Sequence, residues 1–337
     1  MSDFRFETLT AWLKTELIGS FKVELISGDA SFRRYFRVFH GSHTFIAVDS
    51  PIELVAIIPF IELTKSYDAQ HLAVPQVIAQ ESAQGFMLLS DLGDTQLGSV
   101  LSDASIKSYY SESLTLLNSV ARVESTPTHK LPIFDEKFIK TELSIFDEWF
   151  IGHHLQLKLD NEEIELLHHV YNVLSSALRE QPQCTMHRDF HSRNIMVKNQ
   201  KLYLIDYQDS VIGPFTYDAV SLLRDCYVVC PKMYFEMLQQ QHFEQSIEAG
   251  LLSKSVSFTQ YQRWFDLTGL QRHIKVAGIF SRLFYRDNKA GYLKDIPQTL
   301  NYIIEVTSKY PELAEFDLWM KSKIIPLFQQ VSKGNCQ

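Results

Sequence analysis

The chain has 337 residues, a formal net charge of −8, 45% hydrophobic and 21% charged residues. That length leaves room for two lobes and a large core, while the acidic balance excludes a sequence-independent nucleic-acid binder, which needs clustered Lys and Arg. No apolar stretch has the length of a membrane span and no basic segment with an apolar core opens the chain, so a cytoplasmic protein with neither membrane nor nucleic-acid partner is expected.

Residues 3 to about 18 carry Phe6, Leu9, Leu13 and Leu17 at near-helical spacing, with Ser2 or Asp3 as cap. Lys22 to Ile26 reads as a first strand, Ser27 to Ser31 as a turn, Arg33 to Phe39 as the returning strand and Phe45 to Asp49 as a third. A helix is expected over Glu53 to Tyr67, interrupted or restarted at Pro59. Val77 to Ala79 and Gly85 to Leu89 are further strands, and Ser90-Asp91-Leu92-Gly93-Asp94 breaks the pattern with turn formers. A boundary is placed there, giving an N-lobe over 1–93 and a C-lobe over 94–337. Helices are then predicted over 104–123, 138–155, 161–179 and 264–284, a capped helix follows Thr216, and two more lie within 296–331. Cys184, Cys226, Cys230 and Cys336 form neither a disulfide framework nor a zinc pattern. Cys226 and Cys230 read as buried thiols one helical turn apart.

The most informative stretch is His187-Arg188-Asp189-Phe190-His191-Ser192-Arg193-Asn194. A short apolar run, a turn at Asn199-Gln200 and an alternating strand ending on Asp206 come next. An aspartate, an asparagine five residues on and a second aspartate at a strand exit are the set that phosphoryl transfer from ATP requires. One carboxylate orients and deprotonates the attacking hydroxyl, and an amide oxygen and a second carboxylate hold the metal that bridges the phosphates. Asp189 is the candidate base; Asn194 and Asp206 are the candidate Mg²⁺ ligands. Where kinases place the strand-3 lysine that holds the α/β-phosphates, this chain has Asp49. Arg33, Arg34 and Arg37 on the neighbouring strand are the candidate replacements, since a planar donor fork suits phosphate oxygens. Glu62, the counterpart of the glutamate that pairs with that lysine, reads as a solvent-facing charge.

Gly213 to Asp218 follows Asp206 so soon that no protein-kinase activation loop fits between them. In this the chain resembles the small-molecule branch of the kinase fold, the aminoglycoside phosphotransferases and choline kinases. Within that branch its wording is similar to the anomeric sugar kinases of bacterial cell-wall recycling, which phosphorylate N-acetylmuramate and N-acetylglucosamine on the C1 hydroxyl. The stretches that carry the resemblance are Gly28 to Arg37, Leu89 to Asp94, the 187–194 loop, Ser221 to Asp225 and Gly269 to His273.

The resemblance implies an α+β, protein kinase-like two-lobed fold, with an antiparallel-sheet N-lobe and a mostly helical C-lobe. It also implies ATP and Mg²⁺ as co-substrate and cofactor and a small sugar as partner. Ser31 would cover the phosphates and the backbone at Leu89 and Asp91 would read the adenine edge. His187, His191 and Asp218 would support the catalytic loop. Trp149, Arg224, Asp225, Arg272 and Arg286 are the candidate sugar contacts, the cations suiting a lactyl carboxylate. The rival readings are an aminoglycoside- or choline-type kinase and, given Asp49, a nucleotide-binding pseudokinase.

Overall fold

The computed structural model describes residues 3–26 and 33–334. In chain order the first elements are α1 (Phe4–Glu16), β1 (Lys22–Ile26), β2 (Arg34–His40), β3 (His43–Asp49), α2 (Ile58–Ala69), β4 (Val77–Glu81), β5 (Phe86–Ser90) and α3 (Leu97–Val100). Then come α4 (Ile106–Val120), α5 (Glu136–Ile145), a wide π-helical stretch (Phe146–His154), α6 (Asn161–Glu180), β6 (Gln183–Met186), β7 (Ile195–Lys198), β8 (Lys201–Leu204) and β9 (Val211–Pro214). The chain ends with α7 (Tyr217–Leu223), α8 (Lys232–Glu248), α9 (Phe258–Tyr285), α10 (Ile296–Thr307), α11 (Ala314–Trp319) and α12 (Ile325–Gly334).

Two compact units result, and neither is one continuous segment. The first takes residues up to Val100 together with 122–131 and 193–209; the second takes 101–121, 132–192 and 210 onward. The sequence boundary at 93/94 is a single cut, whereas the hairpin β7–β8 folds back into the first unit. Two backbone bonds hold it there, Leu204 N–H to Ala73 O at 2.9 Å and Val197 N–H to Thr95 O at 2.8 Å. The ring of Tyr207 stacks on Phe60 and Tyr67 with centroids 5.2 and 4.7 Å away.

The sheet of the first unit is antiparallel, in the order β1-β2-β3-β5-β4. Arg34 faces Asp49 across the β2–β3 ladder, Tyr35 faces Val48 and Phe36 faces Ala47. Residues directly opposite share a face, so Asp49 lies on the side that packs Leu9, Trp12 and Leu13 of α1 against Phe36, Val38 and Ala47. It is 0% exposed and accepts hydrogen bonds from Arg5 Nε at 2.8 Å and Arg34 Nε at 2.9 Å, while Asp3 closes on Arg34 from outside. Asp49 therefore does not occupy the lysine's place. A single step along a strand reverses the face, and the residue on the opposite side is Val48. Asp49→Ala is expected to cost about 1–3 kcal/mol of stability, because it leaves two arginines without their shared acceptor. ATP affinity should be unchanged. Denaturant melts and an ATP titration check the pair of outcomes.

The helix α2 starts at Ile58, with Pro59 in its first turn, rather than at Glu53. The missing N–H of proline is harmless only there. Glu62 pairs with Lys65 one turn on, at 2.9 Å.

The core of the second unit surrounds α9, a 28-residue helix buried through most of its length. Gly278 explains how α9 meets the end of α5: a Cβ there would lie 2.5 Å from Ile145 O. The segment after α7 differs from expectation. The helix stops at Leu223, so Asp225, Cys226 and Cys230 lie in a bent stretch rather than on helical turns. Both thiols are buried, as read from sequence.

Candidate active site

The loop after β6 is built on acceptors supplied by the first turn of α7 and by the residues just past its end. Asp218 takes the backbone N–H of His187 at 2.6 Å and of Arg188 at 3.0 Å. Burial dominates at this carboxyl and raises its pKa to about 6 in spite of those two bonds. Asp225 takes both the N–H and the Oγ–H of Ser192, at 2.9 and 2.6 Å, and the N–H of Tyr227 at 2.8 Å. Two buried carboxylates thus fix the loop at both ends. Between them Arg188 adopts φ +73°, a left-handed conformation that a non-glycine residue holds only when its surroundings enforce it. The ring of His187 packs edge-on to Phe190 and that of His191 edge-on to Tyr227. Burial lowers the pKa of His191.

Asp189, at the crest of this loop, is half-buried. Burial would raise its pKa, but the positive field of Lys275, His191, Arg188 and Arg272 outweighs it and holds the carboxyl at about 2. A permanently ionised carboxylate is an acceptor aimed at whatever hydroxyl binds beside it.

The cations around Asp189 are themselves organised by a residue that sequence reasoning missed. Glu142 of α5 is buried and accepts from Arg188 Nη2 at 2.8 Å, Lys275 Nζ at 3.1 Å and Gln271 Nε2 at 3.1 Å. Lys275 also donates to the Tyr217 hydroxyl at 2.9 Å. The only signal in the sequence was the spacing of Gln271, Arg272 and Lys275 within one turn of a helix that the structure buries through most of its length.

The other half of the motif belongs to the first unit. Asn194 Nδ2 is 3.5 Å from Asp206 Oδ2, and Asp206 is exposed with φ +65°. An exposed carboxylate beside an amide is a hard-oxygen donor pair that fits Mg²⁺, which binds through one or two protein carboxylates and keeps its waters. Tyr35, on the sheet face opposite Asp49, is buried within electrostatic reach of Arg33, Asp206 and Asp209.

Of the three arginines proposed to replace the lysine, two are committed elsewhere. Arg34 holds Asp49 and Asp3 on the α1 face. Arg37 forks onto Asp91 and Asp94, both at 2.8 Å. Arg33 lies on the Tyr35 side and is bonded as well, donating to Ser50 Oγ at 3.4 Å and to Ala56 O at 3.3 Å. Asp91 is also engaged: its carboxylate takes Gly93 N–H and its carbonyl takes Lys198 Nζ at 2.7 Å. Leu89 is buried in the β3–β5 ladder opposite Ile46. Ser31 lies outside the described residues.

The sugar-contact candidates separate in the same way. Arg224 is buried in an ion pair with Asp266 at 2.9 Å, reaches Glu305 at 3.2 Å and lies over Phe235 and Tyr302. Asp225 has one oxygen engaged by Ser192 of the loop and the other by the N–H of Tyr227, so both residues are already taken up. Arg286 is exposed and paired with its neighbour Asp287 at 2.8 Å. Trp149, half-buried on the π-helical stretch, stacks on His153 with centroids 4.5 Å apart. Arg272 alone of the five sits buried within electrostatic reach of Asp189.

Comparison with known proteins follows the same lines. The family model described as the phosphotransferase enzyme family matches residues 22–250. The chain is 33% identical over 324 residues to the N-acetylmuramate/N-acetylglucosamine kinase of Pseudomonas aeruginosa, covering 93% of this chain and 95% of the relative. It is 34% identical over 310 residues to the protein of the same name from Neisseria meningitidis serogroup B, covering 91% and 92%. Among solved structures, the choline kinase from Cryptosporidium parvum superposes with a TM-score of 0.64 at 12% identity, over 95% of this chain and 99% of that one. The ADP-bound aminoglycoside phosphotransferase APH(2'')-Ib gives 0.59 at 13%, over 89% and 98%. The antiparallel-sheet and helical units thus share the kinase-like α+β fold of these proteins, and the chain belongs to the phosphotransferase enzyme family.

Proposed function

We propose that this enzyme transfers the γ-phosphoryl group of ATP to the anomeric C1 hydroxyl of N-acetylmuramate and N-acetylglucosamine. The observation that carries the reading is the near full-length similarity to kinases named for those two sugars, joined to an Asp189 carboxylate kept ionised in a cationic cradle. Asp189 accepts a hydrogen bond from the C1 hydroxyl and takes its proton as the oxygen–phosphorus bond forms and ADP leaves. A carboxylate held at about 2 is a weak base, so the proton moves late and orientation is its main contribution. An anomeric hydroxyl, more acidic than an ordinary alcohol, suits such a base. Asn194 and Asp206 would hold Mg²⁺, which neutralises charge on the phosphates when bound.

Arg33 is the proposed phosphate-holding cation. With Arg34 and Arg37 in structural ion pairs, Arg33→Met is expected to weaken ATP binding about 10- to 100-fold, the worth of a charge-assisted fork on phosphate. The Arg34 and Arg37 variants should lose stability instead. Unchanged ATP affinity in all three single variants would refute the assignment. For the reaction itself, ADP release is measured across N-acetylmuramate, N-acetylglucosamine, glucose, choline and kanamycin, with phosphorus NMR of the product. An acid-labile C1 phosphate on both acetamido sugars is expected. Turnover of choline or kanamycin alone would overturn the substrate and keep the chemistry.

A further inference from the structure

Arg272 is 4% exposed, and among the described residues it makes no hydrogen bond or ion pair; its Nη1 is fully buried without a partner. The other cations around it each have an ion-pair partner. Arg188 and Lys275 share Glu142, and Arg224 has Asp266. A buried guanidinium without a hydrogen-bonded partner is costly unless something else completes it.

Its position narrows what that something is. Arg272 lies on α9 where the helix packs closely on α7: a Cβ at Gly269, one turn earlier, would meet Val220 Cγ1 at 3.3 Å. Asp189, Asp225, Tyr217 and Cys226 face it. Asp225 is saturated by Ser192 and Tyr227, and the Tyr217 hydroxyl receives Lys275. Asp189 is the group that receives the acceptor hydroxyl, and Arg272 forms no ion pair with it. The guanidinium therefore stands near the reacting oxygen without bridging to it. That spacing suits a substituent on a neighbouring carbon of the same ring. A hydroxyl, an amide or a carboxylate would satisfy the free N–H, and a carboxylate makes the stronger, charge-assisted bond to the planar fork.

We propose that Arg272 is a specificity-determining residue that receives a carboxylate carried on the acceptor sugar close to the reacting hydroxyl, such as a lactyl ether, and thereby favours the acidic over the neutral acetamido sugar. The inference rests on the acetamido-sugar reading above. A sugar bearing the lactyl ether on C3 places its carboxylate two ring atoms from C1, within reach of one arginine. Among the described residues, Arg188, Lys275 and Arg224 are already engaged in ion pairs.

The test is steady-state kinetics of Arg272→Met and Arg272→Lys with Mg-ATP on N-acetylmuramate and N-acetylglucosamine, kcat and KM resolved. The ratio of kcat/KM for the acidic over the neutral sugar is expected to fall about 10- to 100-fold in R272M, mainly through KM. R272K, which keeps the charge and loses the planar fork, should give an intermediate ratio, and it carries the test if R272M does not fold. Equal losses on both sugars, leaving the ratio unchanged, would overturn the inference and place Arg272 at the reacting centre. Turnover of neither sugar by the unaltered enzyme would overturn the sugar reading and the inference with it.

Discussion

Replacing Asp189 with alanine is expected to lower kcat by roughly 10²- to 10⁴-fold, the range attributed to a positioned proton acceptor, with ATP binding retained. The separation is physical. Asp189 draws its field from Lys275, His191, Arg188 and Arg272, all in the second unit, whereas Arg33, Asn194 and Asp206 belong to the first. Single-turnover rates and an ATP titration on the same variant read the two effects apart, and retained turnover would refute the assignment. The pH profile adds a second readout. Asp189 stays ionised down to about pH 2, so the acid limb should not be its own. Asp218, raised to about 6 by burial, protonates first as pH falls and then offers a weaker acceptor to the N–H groups of His187 and Arg188. A decline in kcat below about pH 6 is expected in the wild type and again in the residual rate of D189A.

How far the sequence carried depended on whether a residue's partner was local. The sheet of the first unit and the β7–β8 hairpin were legible because alternation and turn chemistry act within a few residues; Asn199 and Gln200 both take positive φ, as a tight hairpin turn demands. The capped start of α6 was legible for the same reason: Asp160 and Glu163 form a reciprocal capping box. By contrast, the β6–β9 pair brings together residues some 28 positions apart (Gln183 with Pro214 at one end, Met186 with Val211 at the other), and neither strand is long enough to declare itself. The helix α8 was overlooked because its sequence, KMYFEMLQQQHFEQSIE, puts apolar residues on no single face.

The site divides along the same line. Asp189, Asn194 and Asp206 share one motif and were found together. Asp49 was aligned with the kinase lysine, and that it faces α1 could not be read without the β2–β3 ladder. Arg37, Arg224 and Asp225 offered chemistry that looked free, yet each was taken up by a partner elsewhere on the chain: Asp91 and Asp94, Asp266, and Ser192. Glu142 was passed over because a lone glutamate on an amphipathic helix normally faces water.

That glutamate should be the most consequential structural position in the second unit. Glu142→Ala is expected to cost about 3–5 kcal/mol, the penalty for breaking a buried ion pair from one side, because Arg188 and Lys275 would both remain inside without it. Glu142→Gln, which preserves shape and an acceptor, should cost less. The two carboxylates near the loop then differ in sign with pH. Burial opposes ionisation of Glu142, but Lys275 and Arg188 prevail and hold its pKa below the ordinary value. Its contribution is therefore present above the ordinary carboxylate range and lost as pH falls through the lowered folded value. Asp218 has the opposite linkage: its folded pKa is raised to about 6, so its contribution is greatest under acid and is lost as pH rises through 6. Denaturant melts of wild type and E142A should differ by the full amount from pH 8 down to the ordinary carboxylate range and converge only as pH falls below it. Activity should fall with stability, since Arg188 flanks Asp189 and takes its orientation from Glu142. A melt for E142A within about 1 kcal/mol of wild type at pH 7 would show that Lys275 and Arg188 find other partners, and would remove Glu142 from its place at the centre of the cradle.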